Sequence, residues 1–225
     1  MSVIAESIRE IRATLPKDVE LLCVSKTHPK EYIEEAYSCG ERHFAENKVQ
    51  EMTAKAEALP KDIKWHMIGH LQSNKVKYIA SYVYMIHSVD SLKLLEIINK
   101  EALKHNRKIK CLLQVHVAQE ETKYGMSEEE LKEFINSDML DKLTNVEICG
   151  IMGMASFTDD TEQVRKEFRE IKKLFDMCRS THYKDVEAFK EISMGMSGDY
   201  TLAIEEGSTM VRIGNGIFGK RFYQL

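Results

Sequence analysis

Apolar residues in the first stretch of chain recur at helical spacing, Ile4, Ile8, Ile11 and Leu15, and Pro16 ends the run. After that the period alternates. Short apolar runs that read as buried strands are followed by amphipathic stretches that read as helices. Glu20 to Ser25 is the first strand. Pro29 then opens a helix with Ile33, Ala36 and Tyr37 on one face, and Gly40 follows its end. Arg42 to Glu46 is the second strand, and a helix over 47–58 stops before Pro60. The pattern predicts further strands at 63–69, 83–88, 109–118, 146–152, 189–194 and 209–213. Helices are predicted between them at 72–80, 91–105, 127–138, 160–178 and 198–206. Ser127 with Glu130 forms a capping box, and Val164, Phe168, Ile171 and Phe175 line one face of a long helix.

Alternating strands and helices imply a parallel sheet. Eight such repeats predict an α/β fold, a single closed (β/α)₈ TIM barrel with an extra N-terminal helix; an open doubly wound sheet is the alternative. A chain of 225 residues fits one domain over 1–225, since such barrels run to about 200–250 residues. Net charge is −4 with acids and bases mixed, so no basic field points to nucleic acid or anionic lipid. No apolar run reaches the roughly 18 residues of a membrane span. Met1 to Leu15 carries acids and no apolar h-region, so it does not read as a signal peptide. The five cysteines form no CxxC pair; they predict a reducing cytoplasm and thiols that pack as small hydrophobes.

In such a barrel the chemistry sits where strands end. Lys26 follows the apolar run Leu21, Leu22, Cys23, Val24, so its stem leaves a buried strand. Partial desolvation there favours a nucleophilic amine able to form a Schiff base; the plainer alternative is a lysine that snorkels to solvent. Gly214-Asn215-Gly216-Ile217-Phe218-Gly219 matches G-x-G-x-x-G, but six residues remain after it, too few for a dinucleotide-binding βαβ unit. Glycine-rich turns after the seventh and eighth strands of a barrel often cradle phosphate instead. Ser193-Met194-Gly195-Met196-Ser197-Gly198 supplies a second wall, and together they predict a phosphomonoester site. Arg212 shares a strand face with Gly214. His66 and His70 have the spacing of H-E-x-x-H ligands, but they lie on a strand running into Gly69, so zinc is not expected.

Several stretches then match a known family. They are Val24 to Thr27, Phe44 to Glu51, Trp65 to Lys75, His87 to Asp90, Gly150 to Ala155, and Ser193 to Arg221. Spread across nearly the whole chain and in family order, they resemble the YggS/PROSC family of pyridoxal 5′-phosphate (PLP) homeostasis proteins. The resemblance implies a fold like the barrel domain of alanine racemase, without that enzyme's second domain. It implies PLP held as an internal aldimine on Lys26, with phosphate at Ser197, Gly214 and Asn215 and Ser193 nearby. It also implies Arg212 facing the pyridine nitrogen and Asn47 near the ring. Two positions depart from the family pattern. Ala45 replaces a usual glycine, and Asn215 replaces a small hydroxyl residue, which leaves the main-chain N–H as the contact.

PLP chemistry uses the ring as an electron sink that the protein tunes at the ring nitrogen. Arg212 cannot accept a proton, so it should leave that nitrogen unprotonated and the sink weak. The expected function is a PLP carrier or regulator of vitamin B6 homeostasis, not an enzyme. It would act as a cytoplasmic monomer whose partners include PLP-dependent apo-enzymes. The alternatives are a PLP-dependent amino-acid racemase and a phosphosugar barrel with a Schiff-base lysine. Lys123, at the end of the fifth strand, is a candidate second amine near the mouth, and a solvated loop lysine is its plainer reading.

Overall fold

A computed structural model describes residues 2–118 and 124–219. Eight parallel strands close into one barrel in sequence order: β1 Glu20–Val24, β2 His43–Glu46, β3 Lys64–Met67, β4 Met85–Val89, β5 Ile109–Gln114, β6 Val146–Met152, β7 Glu191–Met196 and β8 Met210–Ile213. The ring is completed by β8 pairing with β1, Leu22 opposite Arg212. The helices are α1 Val3–Thr14, α2 Lys30–Ser38, α3 Val49–Ala58, α4 Leu92–Lys104, α5 Glu128–Ile135, α6 Thr161–Ser180, α7 Tyr200–Glu205 and α8 Asn215–Phe218. The predicted barrel and its leading helix are both present. Among the described residues no helix is long and apolar enough to cross a membrane.

Strand alternation divides the core in two. Leu22, Val24, Ala45, Met85, Leu112, Cys149, Met152 and Met210 fill the barrel interior. The intervening residues, among them Leu21, Cys23, Phe44, Ile86, Leu113, Ile151 and Val211, pack outward against the helices. Of the five free cysteines, Cys39 is exposed and the other four are buried. Burial raises the thiols of Cys149 and Cys178 to about 12, so they serve as small hydrophobes.

Three predicted elements differ. The helix over 72–80 is a 3₁₀ helix, Ser73–Tyr78. Within it only Val76 is buried, and the next buried side chains, Ile79 and Ala80, follow its end. Lys75 N–H donates to Gln72 O and Ile79 N–H to Val76 O, the i→i+3 pattern of short 3₁₀ segments. The strand predicted to 118 ends at Gln114, beyond which Val115 bridges Met126 in isolation. The glycine-rich segment after β8 does open a helix, α8, four residues long, with Gly214 at its N-cap position.

Candidate cofactor site at the mouth of the barrel

The strand ends of β1, β2, β3, β5, β6, β7 and β8 surround a cavity of about 600 Å³. Six predicted site residues line it: Lys26, Asn47, Ser197, Arg212, Gly214 and Asn215. The seventh, Ser193, does not. It is fully buried one layer lower, because it points inward from the middle of β7. Arg212 Nη1 donates to its hydroxyl at 2.7 Å, and His87 Nδ1 lies 3.0 Å from the same oxygen. Lys123 falls outside the described residues.

Lys26 follows β1 in a tight turn closed by His28 N–H donating to Ser25 O. Thr27 takes a left-handed φ of 67°, a region β-branched residues avoid. Such a conformation persists where its surroundings hold it. Here the hold is visible: Thr27 N–H donates to Glu51 Oε1 at 2.6 Å. Lys55 donates to that same carboxylate oxygen, to Glu46 Oε1 and to Ser25 O, each at 2.7–2.8 Å. Ser25 Oγ also donates to Glu46 Oε1. Burial raises Glu46 to about 7, against the opposing pull of Lys55 and the Ser25 hydrogen bond. The outward face of β1 and β2 thus clamps the turn that carries the lysine.

Beside that turn, past the end of β8, Ser197 Oγ accepts from the backbone N–H of Gly214 at 3.3 Å and of Gly216 at 3.2 Å. Two main-chain donors therefore converge on one oxygen at the cavity edge, the arrangement that receives phosphate oxygens. A methyl group added at Gly198 beside them would meet nothing within 4 Å, so the cradle is open on that side. Asn47 Oδ1 is buried and has no hydrogen-bond partner among the described residues. A buried acceptor of this kind calls for a donor. Arg212 is almost fully buried and gives its second hydrogen bond to Gly153 O at 3.0 Å. Among the described residues it makes no salt bridge. Burial lowers it to about 10, offset in part by Asp199, so it stays a cation near neutrality.

These features line one cavity: an amine on a clamped turn, a buried cation without a salt-bridged carboxylate among the described residues, an orphaned amide oxygen and two main-chain donors converging on Ser197. The sequence profile described as the alanine racemase N-terminal domain matches residues 1–221. The chain belongs to this family. Within it, the chain groups with pyridoxal phosphate homeostasis proteins. It is 43% identical to that of Aquifex aeolicus over 205 residues, covering 91% of this chain and 88% of the relative. It is 35% identical to the human one, covering 99% of this chain and 86% of the relative. PipY of Synechococcus elongatus, solved with PLP bound, superposes with a TM-score of 0.87 at 36% identity, over 96% of this chain and all of PipY. Alanine racemase of Bartonella henselae shares the fold, with a TM-score of 0.71 at 16% identity, over 97% of this chain and 59% of the racemase.

The motifs brought Lys26, Asn47, Ser197, Arg212, Gly214 and Asn215 into view, but not the groups behind them. Glu46, Lys55 and His87 were not singled out by any motif chemistry. A signal was present for Glu46 and His87: a charged or imidazole side chain inside a strand pattern that is otherwise apolar is the informative exception to burial rules, whereas Lys55, on α3, offered none. Tyr124 and His70, stacked at 4.0 Å between ring centroids on the cavity rim, come from loops after different strands and left no such signal.

Proposed function

We propose that this chain binds pyridoxal 5′-phosphate at the barrel mouth and serves its homeostasis, as a carrier or regulator, without turning over amino acids. The residues present fit the group. Ser197 and the main-chain N–H groups of Gly214 to Gly216 would hold its phosphate, Asn47 would accept a hydrogen bond beside the ring, and Lys26 would bind it covalently as a Schiff base. When bound, PLP supplies a carbonyl that condenses with amines and a ring that withdraws electrons, in a degree set at its ring nitrogen.

The observation that carries the non-catalytic reading is Arg212. Its guanidinium lines the cavity, cannot accept a proton and is itself fixed by Ser193 and Gly153. It offers the ring nitrogen a donor and no acid, which keeps electron withdrawal weak. Ser193 belongs to this reading as a support of Arg212, not as a phosphate ligand. The homeostasis names of the relatives support the same direction. The reading extends to a cytoplasmic monomer that delivers PLP to apo-enzymes.

Two measurements test it. Borohydride reduction of the PLP-loaded protein, followed by peptide mass mapping, should place the pyridoxyl group on Lys26, and Lys26→Ala should abolish the trapped adduct while binding of the phosphate persists. A pyridoxyl group on another lysine would remove Lys26 from its role. Incubation of the loaded protein with individual L- and D-amino acids, followed by NMR, should show no racemisation at ordinary enzyme rates of roughly 1–10³ per second. Racemisation at such rates would overturn the carrier reading and install the racemase one.

A further inference from the structure

A row of imidazoles runs through the barrel beneath Arg212. From Ser193, His87 Nδ1 is 3.0 Å away, His87 Nε2 is 2.8 Å from His66 Nδ1, and His66 Nε2 is 2.9 Å from His43 Nδ1. His66 and His87 are fully buried. His43, the first residue of β2, opens onto a polar cavity of about 260 Å³ at the opposite end of the barrel, lined also by Glu20 and Lys64. There its Nε2 lies 3.5 Å from Glu20 Oε2 and 3.2 Å from Lys64 Nζ. An unbroken set of hydrogen-bonding distances therefore joins one face of the barrel to the guanidinium at the other.

The chemistry assigns a direction to this row. Arg212 has donors and no acceptor, so it occupies a lone pair of the Ser193 oxygen. Among the described residues that hydroxyl has two partners, Arg212 and His87. Its proton must go to His87 Nδ1, for otherwise a fully buried hydroxyl proton has no acceptor. His87 then carries its proton on Nε2 and donates to His66 Nδ1. The same logic puts the proton of His66 on Nε2, donating to His43, and that of His43 on Nε2, facing Glu20 Oε2 at 3.5 Å. The Lys64 ammonium, 3.2 Å from the same nitrogen, competes for it as a donor, but Lys64 is exposed and water can accept its protons, whereas the Ser193 proton is fully buried, so the Ser193 end sets the order. In this order every lone pair points toward Arg212 and every N–H away from it. Aligned dipoles of that sense stabilise a buried cation, and the row ends on a carboxylate.

We propose that His87, His66 and His43 are positioning residues: a directional row of neutral imidazoles that, through Ser193, orients and electrically supports the cofactor-facing Arg212 and couples it to Glu20 on the far face of the barrel. This rests on the reading of Arg212 as a cofactor contact. The groups facing the row are Arg212 and Ser193 at His87, Tyr84 at His66, and Glu20, Lys64, Arg12 and Lys110 around His43. Burial keeps all three imidazoles neutral near pH 7.

The test begins with the protein free of PLP. Nitrogen-15 NMR of the imidazoles should show His66 and His87 as Nε2–H tautomers at neutral pH. Nδ1–H tautomers at either would overturn the row, whatever PLP does. PLP titration then reads the coupling. Glu20→Gln lies on the far face and should weaken PLP about two- to tenfold, the scale on which residues that touch neither ligand change a coupling through a network. In a His66→Phe background, where the row is cut, Glu20→Gln should add nothing. Equal effects of Glu20→Gln in both backgrounds, or none in the wild type, would refute the coupling. If His66→Phe does not fold, the tautomers and the wild-type Glu20→Gln titration decide between the same outcomes. Failure of the wild-type chain to bind PLP would refute the functional reading separately, with the tautomer result standing on its own.

Discussion

Ser197 holds an oxygen where the N–H groups of Gly214 and Gly216 converge, and that placement gives its hydroxyl more weight than a turn serine has. A hydrogen bond to a charged partner contributes roughly 1.5–3 kcal/mol. Ser197→Ala is therefore expected to raise the PLP dissociation constant about ten- to a hundredfold while leaving the fold intact. Fluorescence or absorbance titration measures this directly, and an unchanged constant would take Ser197 out of the phosphate site. At this scale the motifs were informative because glycine and serine advertise main-chain access. Ser193 shows their limit. It belongs to the same Ser-Met-Gly-Met-Ser-Gly run, yet strand alternation turns its side chain into the barrel, where it receives Arg212.

β2 and β3 run side by side, with His43 to Glu46 in register with Lys64 to Met67. Just past them the two chains approach so closely that a Cβ on Gly69 would sit 2.3 Å from Asn47 O. The obstacle is backbone, which a side-chain rotation cannot relieve. Gly69→Ala is expected to cost about 1–3 kcal/mol of stability, the usual range for forced overpacking. It should also displace Asn47 and weaken PLP binding. Urea denaturation and a PLP titration report the two effects, and a variant as stable as the wild type would show that the approach is looser than it stands. Element type was legible wherever a periodic face was long, as in α1, α4 and α6. The 3₁₀ segment Ser73–Tyr78 and the four-residue α8 were not, since one or two turns hold too few apolar positions to reveal their period.

For the molecule as a whole, the buried histidines set the response to pH. Burial holds His43 down to about 4 and His66 and His87 well below the ordinary 6.5. Below about pH 6.5 the unfolded chain takes up these protons while the fold refuses them, so stability falls as pH falls. Glu46, raised by burial from 4.5 to about 7, has the opposite sign: the fold keeps its proton across that window, so its contribution weakens as pH rises. Burial raises Glu20 as well, in the same sense as Glu46, and the three histidines outweigh these two carboxyls. Net loss should be roughly 2–3 kcal/mol per pH unit between about pH 6 and 5, at about 1.4 kcal/mol per proton and unit. Urea midpoints at several pH values across that range measure it, and a flat profile would contradict the buried neutral histidines. Eight alternations of apolar runs and amphipathic stretches were enough to read the barrel, because few parallel architectures bury both faces of such a sheet. The lysine, the arginine and the glycine- and serine-rich turns were legible too, because the chemistry each offers is local. Tertiary structure alone decided the clamp of Glu46, Glu51 and Lys55 on the Lys26 turn and the row from Arg212 to Glu20. Both are assembled from side chains on separate strands and helices, and which of them meet depends on strand register and barrel closure, which no local pattern encodes.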